Sequence, residues 1–337
     1  MSALPPIEEV HILGAGRMGQ GMALAFSYAG LRVTLIDFKE RDLPSRSAFE
    51  LKVQLGIQQQ LESLVKLGRL SETQCNEAAA RISIVDCQDA AASIASSRIV
   101  FEAVPEVMAA KQAAFSWLAE HTGPDVLYAS TTSTFLITEL QQFITHPRRA
   151  LNAHWLNPAH LMPLVEISRS DITSQEAVTT VVELLRKIGK VPIVCNPAAG
   201  YIVPRIQALA MNEAARIVEE GVASVEDIDT AIRVGFGLRF SVLGLLEFID
   251  WGGCDILYYA SHCLAKAIDP RFLPADIVTE NMHNHRDGLR DGNGFYNYSS
   301  VDVPAYTQKR LSEFMLALDS RGLAPQYGIA HSSQAPK

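Results

Sequence analysis

The sequence predicts an α/β fold, a mainly parallel sheet with flanking helices followed by an all-helical C-terminal domain. Three observations predict it. A glycine-rich turn stands between a short apolar strand and a helix near the N-terminus. Short apolar runs rich in Val and Ile then alternate with helical patterns as far as Val194. Beyond Gly200 the strand pattern stops and helical periods take over. Alternating strands and helices build parallel sheets, and a change of pattern marks a change of domain.

The first unit reads strand, turn, helix, strand. Val10-His11-Ile12-Leu13 is the strand, and Gly14-Ala15-Gly16-Arg17-Met18-Gly19 matches G-x-G-x-x-G. A helix starting around Met22 stops near Gly30, and Leu31 to Ile36 is a second strand ending in Asp37. This order is the Rossmann-type dinucleotide fingerprint. Gly14 permits a tight turn, Gly16 lets backbone amides approach a pyrophosphate, and Gly19 lets the helix pack on the strand. The helix N-terminus faces the phosphates with partial positive charge. A carboxylate at Asp37 accepts hydrogen bonds from the adenosine ribose hydroxyls and repels a 2′-phosphate, so NAD is expected rather than NADP. Gly14, Gly16, Met18, Gly19 and Asp37 are the expected cofactor contacts of this unit.

Residues 47–81 read as a helical hairpin with a break at Gly68 and a new start at Ser71. It either packs on the domain or lies over a ligand. Ile82 to Val85 and Ile99 to Val104 are strands, the second closed by Pro105-Glu106, with Lys111 one turn into the next helix. Glu106 and Lys111 are either a solvated helix start or part of the ligand crevice at the carboxyl end of the sheet. Val126 to Ala129 is a strand, and Ser130 to Thr134 follow as five small hydroxyl residues. One of them suffices to cap the next helix, which leaves another free for a site. Gln175 to Gly189 is an amphipathic helix, and Val191 to Val194 closes the sheet. The boundary falls in the Asn196–Gly200 loop, giving a dinucleotide-binding domain over 1–198 and a helical domain over 199–337. In the latter, helices are expected over Ile202–Glu220, Leu245–Ala267 and Pro304–Leu318, with Gly235–Phe240 as a loop.

Between the last strands lies His154-Trp155-Leu156-Asn157-Pro158, followed by Pro163-Leu164-Val165-Glu166. Asn157-Pro158 is a turn signal, so a hairpin can bring His154 and Glu166 together. Imidazole titrates near neutral pH, and a carboxylate that orients it gives a general acid/base pair.

Composition excludes several classes. The 337 residues are 48% hydrophobic and 20% charged, with a net charge of −8, a globular composition that argues against nucleic-acid or anionic-membrane surfaces. No apolar run reaches the roughly 18 residues of a membrane span. Met1 to Pro6 lack the marks of a signal peptide. The five cysteines form no C-x-x-C and indicate neither disulfides nor a metal site, so a reduced, cytoplasmic setting is expected.

Taken together, G-A-G-R-M-G, E-A-V-P-E, the Ser/Thr-rich strand end, H-W-L-N-P with P-L-V-E, and Gly200-Tyr201-Ile202-Val203 resemble the L-3-hydroxyacyl-CoA dehydrogenase family from about Glu9 to Leu318. That family includes relatives acting on free acids, such as L-gulonate 3-dehydrogenase with its lens relative lambda-crystallin, and carnitine dehydrogenase. The resemblance implies that His154 removes the hydroxyl proton while a hydride leaves for NAD. Glu166 would orient the imidazole, Ser133 and Asn157 would support the substrate oxygen, and Glu106 and Lys111 would lie on the cofactor side. The helical domain would close over the substrate and form a homodimer.

Two positions depart from the fatty acyl-CoA members. Pro204 stands before Arg205 where those usually have Asn, and Pro163 stands where they tend to carry Lys. Pro163 to Glu166, His160 and Gly237-Leu238-Arg239 are more similar to the free-acid branch. The leading expectation is a short-chain, 3-hydroxybutyryl-CoA-like thioester. The alternatives are a free 3-hydroxy acid, its carboxylate met by Arg205 or Arg239, and a non-catalytic crystallin-like protein.

Overall fold

In the computed structural model, residues 7–326 are described. The reading of Met1 to Pro6, and that of the tail past residue 326, lie outside them. The chain divides into two compact units between Met211 and Asn212.

In the first unit the strands are β1 (Glu9–Leu13), β2 (Arg32–Asp37), β3 (Ile82–Asp86), β4 (Ile99–Glu102), β5 (Leu127–Ser130), β6 (Ala150–Trp155), β7 (Leu164–Ser168) and β8 (Val191–Cys195). They form one sheet in the order β3-β2-β1-β4-β5-β6-β7-β8. Every pairing is parallel except β6 with β7. The connections are α1 (Arg17–Tyr28), α2 (Leu43–Lys66), α3 (Glu72–Ala80), α4 (Cys87–Ile94), α5 (Met108–His121), the short α6 (Ile137–Leu140) and α7 (Gln175–Lys187).

Successive residues of a strand face opposite sides, and a parallel sheet is covered on both. Val10, Ile12 and Phe101 accordingly feed one core, with Phe26 and Trp155, while Leu13 and Val100 feed the other, with Phe115 and Tyr128. In the first core the Phe26 ring lies 5.1 Å from Phe101 and 5.6 Å from Trp155.

The 47–81 segment is a helical hairpin, begun earlier than its leucines suggest. Asp42 caps α2 by accepting from the Ser45 amide at 2.9 Å, and Ser71 with Gln74 forms the capping box of α3. The buried stripe of α2 is Val53, Ile57 and Leu61, whereas Leu51 and Leu55 face solvent. The helix start Asp42, Leu43 and Arg46 lines a cavity beside Asp37. The residues of 47–81 pack on the domain, and it is the helix start ahead of residue 47 that borders this cavity.

Three sequence expectations need correction. None of Ser130 to Thr134 caps α6, whose N-cap is Leu136; those hydroxyls go elsewhere, as described below. Gly235 to Phe240 is not a loop. It is a π-helical turn (Ile232–Phe236) running into α10 (Gly237–Phe240), because two glycines in this segment do not break a helix whose neighbours continue it. The expected helix 245–267 is two, α11 (Leu245–Gly252) and α12 (Cys254–Ala267), broken where Gly253 takes φ +106°.

α8 (Val203–Glu219) carries the chain from the first unit into the second, and Gly221 at φ +69° follows its end. The second unit continues with α9 (Val225–Ala231), the elements just named, α13 (Asp276–His283) and α14 (Val303–Asp319). Buried Asp250 fixes its long loop by accepting from the amides of Phe295 and Tyr296 at 2.9 and 2.8 Å.

Candidate active site

The glycine turn is dictated by packing at two positions and by openness at the third. A Cβ at Gly14, which has φ +117°, would stand 2.5 Å from the Ala103 carbonyl oxygen. One at Gly19 would stand 1.9 Å from the Gly14 oxygen. Gly16 faces open space, and α1 starts there without a side-chain cap. The first amides of α1 are thus free for an anion, which fits a pyrophosphate. Arg17 is exposed beside this turn, and Met18 packs partly into the first core.

Asp37 ends β2 as expected. Its Oδ2 accepts from Arg41 Nε at 2.5 Å, and the Arg41 guanidinium lies 3.9 Å from the Phe49 ring centroid. Beside it opens a cavity of about 990 Å³ walled by Phe38, Arg46, Trp117 and His121 among others. Arg46 pairs there with Asp86 and Asp89. Burial pushes the Cys87 thiol in this wall up to about 11, so it stays a neutral wall group.

Glu106 and Lys111 belong to one buried network with Glu102. Lys111 Nζ donates to both Glu102 oxygens at 2.9 and 3.1 Å and lies 3.3 Å from Glu106. Glu102 also accepts from the Val104 amide at 2.8 Å and the Ser130 hydroxyl at 2.6 Å. Glu106 gathers the segment after β5. Its Oε1 accepts from the hydroxyls of Thr132 and Thr134 at 2.5 and 2.7 Å, and from the amides of Ser133 and Thr134 at 3.0 and 2.9 Å. Burial pushes the Glu106 carboxyl up, but the bonds from Thr132 and Thr134 with the Lys111 charge outweigh it and hold the group below the usual range. Ser133 is thereby fixed through its amide, while its hydroxyl makes no protein bond among the described residues.

His154 and Glu166 are direct partners across β6 and β7. Ala153, Trp155, Val165 and Ile167 turn into the first core, so alternation sends Asn152, His154, Glu166 and Ser168 to the other face. His154 Nδ1 and Glu166 Oε2 are 2.8 Å apart, both residues buried. Glu166 Oε1 accepts from the amides of Ile202 and Val203, each at 2.9 Å, at the start of α8. With Nδ1 on the carboxylate, Nε2 is left without a hydrogen-bond partner among the described residues. The turn between the strands carries exposed Asn157, joined to Pro158 by a cis peptide. Lys190 holds this turn from below, donating to the carbonyls of Ala159 at 2.7 Å and Met162 at 2.8 Å. Burial pushes the His160 imidazole down, and Lys190 adds to it.

The structure thus brings Ser133, His154 and Glu166 into one connected neighbourhood through Tyr201. Its ring stacks on His154 at 5.1 Å and 5°, and its hydroxyl donates to the Thr132 carbonyl at 2.9 Å. Arg205 is exposed on α8. Arg239 belongs to the second unit, its guanidinium 4.7 Å from the Phe248 ring. Sequence reading missed Glu102, Asn152, Lys190 and Tyr201 as members of this neighbourhood. Polar residues inside or ending apolar strands, such as Glu102 and Asn152, were the available signal. No group of three or more potential metal ligands occurs among the described residues, and no described helix is long and apolar enough to cross a membrane.

A doubly wound sheet with this glycine turn and an imidazole–carboxylate pair at its carboxyl end defines a dinucleotide-dependent oxidoreductase. The chain belongs to the 3-hydroxyacyl-CoA dehydrogenase family: residues 9–198 match its NAD binding domain and residues 200–298 its C-terminal domain. It is 31% identical over 292 residues to a probable 3-hydroxybutyryl-CoA dehydrogenase of Bacillus subtilis, covering 87% of this chain and 98% of that one. It is 28% identical over 305 residues to the 5-formyl-3-hydroxy-2-methylpyridine 4-carboxylate 5-dehydrogenase of Mesorhizobium japonicum, covering 90% and 95%. A crystal structure of a 3-hydroxyacyl-CoA dehydrogenase from Archaeoglobus fulgidus superimposes with a TM-score of 0.73 at 29% identity, covering 94% of this chain and 99% of that one. The protein is an NAD-dependent oxidoreductase of this family.

Proposed function

We propose that the protein interconverts a short-chain L-3-hydroxyacyl-CoA and its 3-ketoacyl-CoA, with His154 as the general acid/base. The observation that carries this reading is the 2.8 Å contact of His154 Nδ1 with Glu166, which leaves Nε2 for the substrate hydroxyl. Bound NAD would supply the hydride acceptor. Nε2 takes the hydroxyl proton, and the Glu166 carboxylate stabilises the imidazolium that results. The Ser133 hydroxyl and the Asn157 amide hold the substrate oxygen. Gly14, Gly16 and Gly19 shape the pyrophosphate turn, Asp37 meets the adenosine ribose, and Glu106 with Lys111 fixes the cofactor side of the Ser133 segment.

The thioester reading is supported by the Bacillus subtilis relative, matched over nearly its whole length. A second reading, a free acid, is favoured by exposed Arg205 at the head of α8, by Pro204 beside it, and by the Mesorhizobium japonicum relative, whose name is that of a pyridine carboxylate dehydrogenase. NADH absorbance over a panel of 3-hydroxyacyl-CoAs and free 3-hydroxy acids separates the two. Preference for 3-hydroxybutyryl-CoA supports the first, and turnover of free acids alone contradicts it.

We also propose that residues 199–337 form the substrate and dimerisation part. In the single chain α8 buries no residue, and Leu209 is 72% and Met211 69% exposed. Ile256, Tyr259 and Leu316 are exposed further on. Apolar surface of this extent is commonly covered across a two-fold axis. Light scattering at micromolar concentration should give twice the chain mass, and a monomer would refute the dimer.

A further inference from the structure

We propose that Tyr201 is a positioning residue for the reaction, holding the His154 imidazole by its ring and the Ser133 segment by its hydroxyl. The inference rests on the reading of His154 as acid/base and adds to it the group that fixes the imidazole plane.

Three observations meet at this side chain. First, the Tyr201 and His154 rings are parallel within 5°, with centroids 5.1 Å apart. Glu166 holds the imidazole only at its Nδ1 edge. A ring tethered at one edge can still tilt, and a parallel ring in contact removes that freedom. Second, the Tyr201 hydroxyl accepts from Asn152 Nδ2 at 2.9 Å and donates to the Thr132 carbonyl at 2.9 Å. Asn152 stands two residues before His154 on β6 and is fully buried, and its Nδ2 also donates to the Phe135 carbonyl at 3.0 Å. One hydroxyl therefore ties the strand of His154 to the segment bearing Ser133. Third, Tyr201 has φ +45°, a left-handed conformation that residues with a Cβ adopt rarely. Such a conformation persists where the surroundings over-determine it, and it clusters at functional sites. The next two amides, of Ile202 and Val203, hold Glu166. The strained residue thus sets both partners of the pair, Glu166 through the backbone and His154 through the ring.

Burial pushes the Tyr201 phenol far above its ordinary range, and the Asn152 bond offsets this only in part. The phenol keeps its proton, which points to the Thr132 carbonyl. Tyr201 therefore acts as a fixed donor and a wall, not as a proton source.

The test compares Tyr201→Phe, Tyr201→Leu and His154→Ala with the wild type in the full-length protein. The readouts are kcat and KM with acetoacetyl-CoA and NADH, NADH affinity by fluorescence, thermal unfolding, and the ring-proton shifts of His154 by NMR. Tyr201→Phe keeps the stack and loses one hydrogen bond, so kcat should fall roughly threefold to tenfold, with the His154 shifts retained. Tyr201→Leu loses both and should lower kcat by about 10²-fold, as small misplacements of reacting groups do. The His154 shifts should move, while KM and NADH affinity stay within about twofold of wild type. A folded Tyr201→Leu protein with wild-type kcat overturns the inference, as does a loss confined to unfolding temperature. If Tyr201→Leu does not fold, Tyr201→Phe decides, and wild-type kcat there overturns the hydroxyl's role. An active His154→Ala protein would overturn the reading of the site itself. An inactive His154→Ala beside a fully active Tyr201→Leu would remove the inference alone.

Discussion

Glu166 holds His154 with one carboxylate oxygen and the start of α8 with the other. Oε2 lies 2.8 Å from His154 Nδ1, and Oε1 accepts from the Ile202 and Val203 amides at 2.9 Å each. An orienting group and a structural cap are thus the same side chain. Glu166→Gln can still accept from the two amides through its remaining oxygen, but its NH₂ then faces Nδ1. That favours the tautomer with a proton on Nε2, where a free lone pair is needed. The variant should fold, bind NAD normally and lose on the order of 10²-fold or more in kcat. Wild-type kcat in Glu166→Gln would contradict the pairing as a catalytic device.

The glycine turn separates packing from binding. Gly19→Ala places a Cβ 1.9 Å from the Gly14 oxygen and should lower the unfolding temperature markedly. Gly16→Ala meets nothing within 4 Å and should leave that temperature unchanged, yet raise KM for NAD by crowding the pyrophosphate. Equal effects of the two on stability would show that Gly16 serves the fold.

Asp37 should discriminate between NAD and NADP, now with Arg41 as its neighbour at 2.5 Å. Asp37→Ser removes the ribose acceptor and frees a guanidinium that attracts a 2′-phosphate. NAD affinity should fall about tenfold, the equivalent of roughly 1.4 kcal/mol, and the preference over NADP should shrink. Fluorescence titration of both cofactors checks this. An unchanged ratio would remove Asp37 from the recognition.

His11 supplies a pH prediction remote from the site. It is 4% exposed on β1, and neither ring nitrogen has a hydrogen-bond partner among the described residues. Burial lowers its pKa below 6.5, against a smaller raising effect of Glu9. The folded state therefore binds its proton less readily than the unfolded chain. This contribution to stability is fully present above pH of about 6.5 and is lost as pH falls through the lowered folded value. His11→Leu should flatten that decline and stabilise the fold by about 1–3 kcal/mol at low pH, since an apolar group leaves nothing unpaired. Thermal unfolding from pH 7 to 5 measures it, and parallel slopes in the two proteins would contradict it.

Much of this architecture is legible in local chemistry. Gly14, Gly19 and Asp37 announce the first strand–helix–strand unit because each is required by its own turn or strand end. His154 and Glu166 are legible because strand alternation and a two-stranded turn place them opposite each other. Lys190 and Tyr201 escape because their partners are distant in sequence: Lys190 meets Ala159 across 31 positions and Tyr201 meets Thr132 across 69. The hydroxyls of Thr132 and Thr134 read as helix caps by propensity, but α6 starts only after Leu136, and they donate to Glu106 instead. The break at Gly253 is hidden inside an apolar run whose helical period continues on both sides. Long-range hydrogen bonding leaves no local pattern, and in this fold it organises the site.

The most direct test of the account is the turnover of His154→Gln, measured with NADH binding on the same preparation. A positioned general base contributes about 10²- to 10⁴-fold. In this variant kcat should fall by that factor, with NADH affinity and unfolding temperature unchanged. A kcat near that of the wild type in the folded, NADH-binding variant would contradict it.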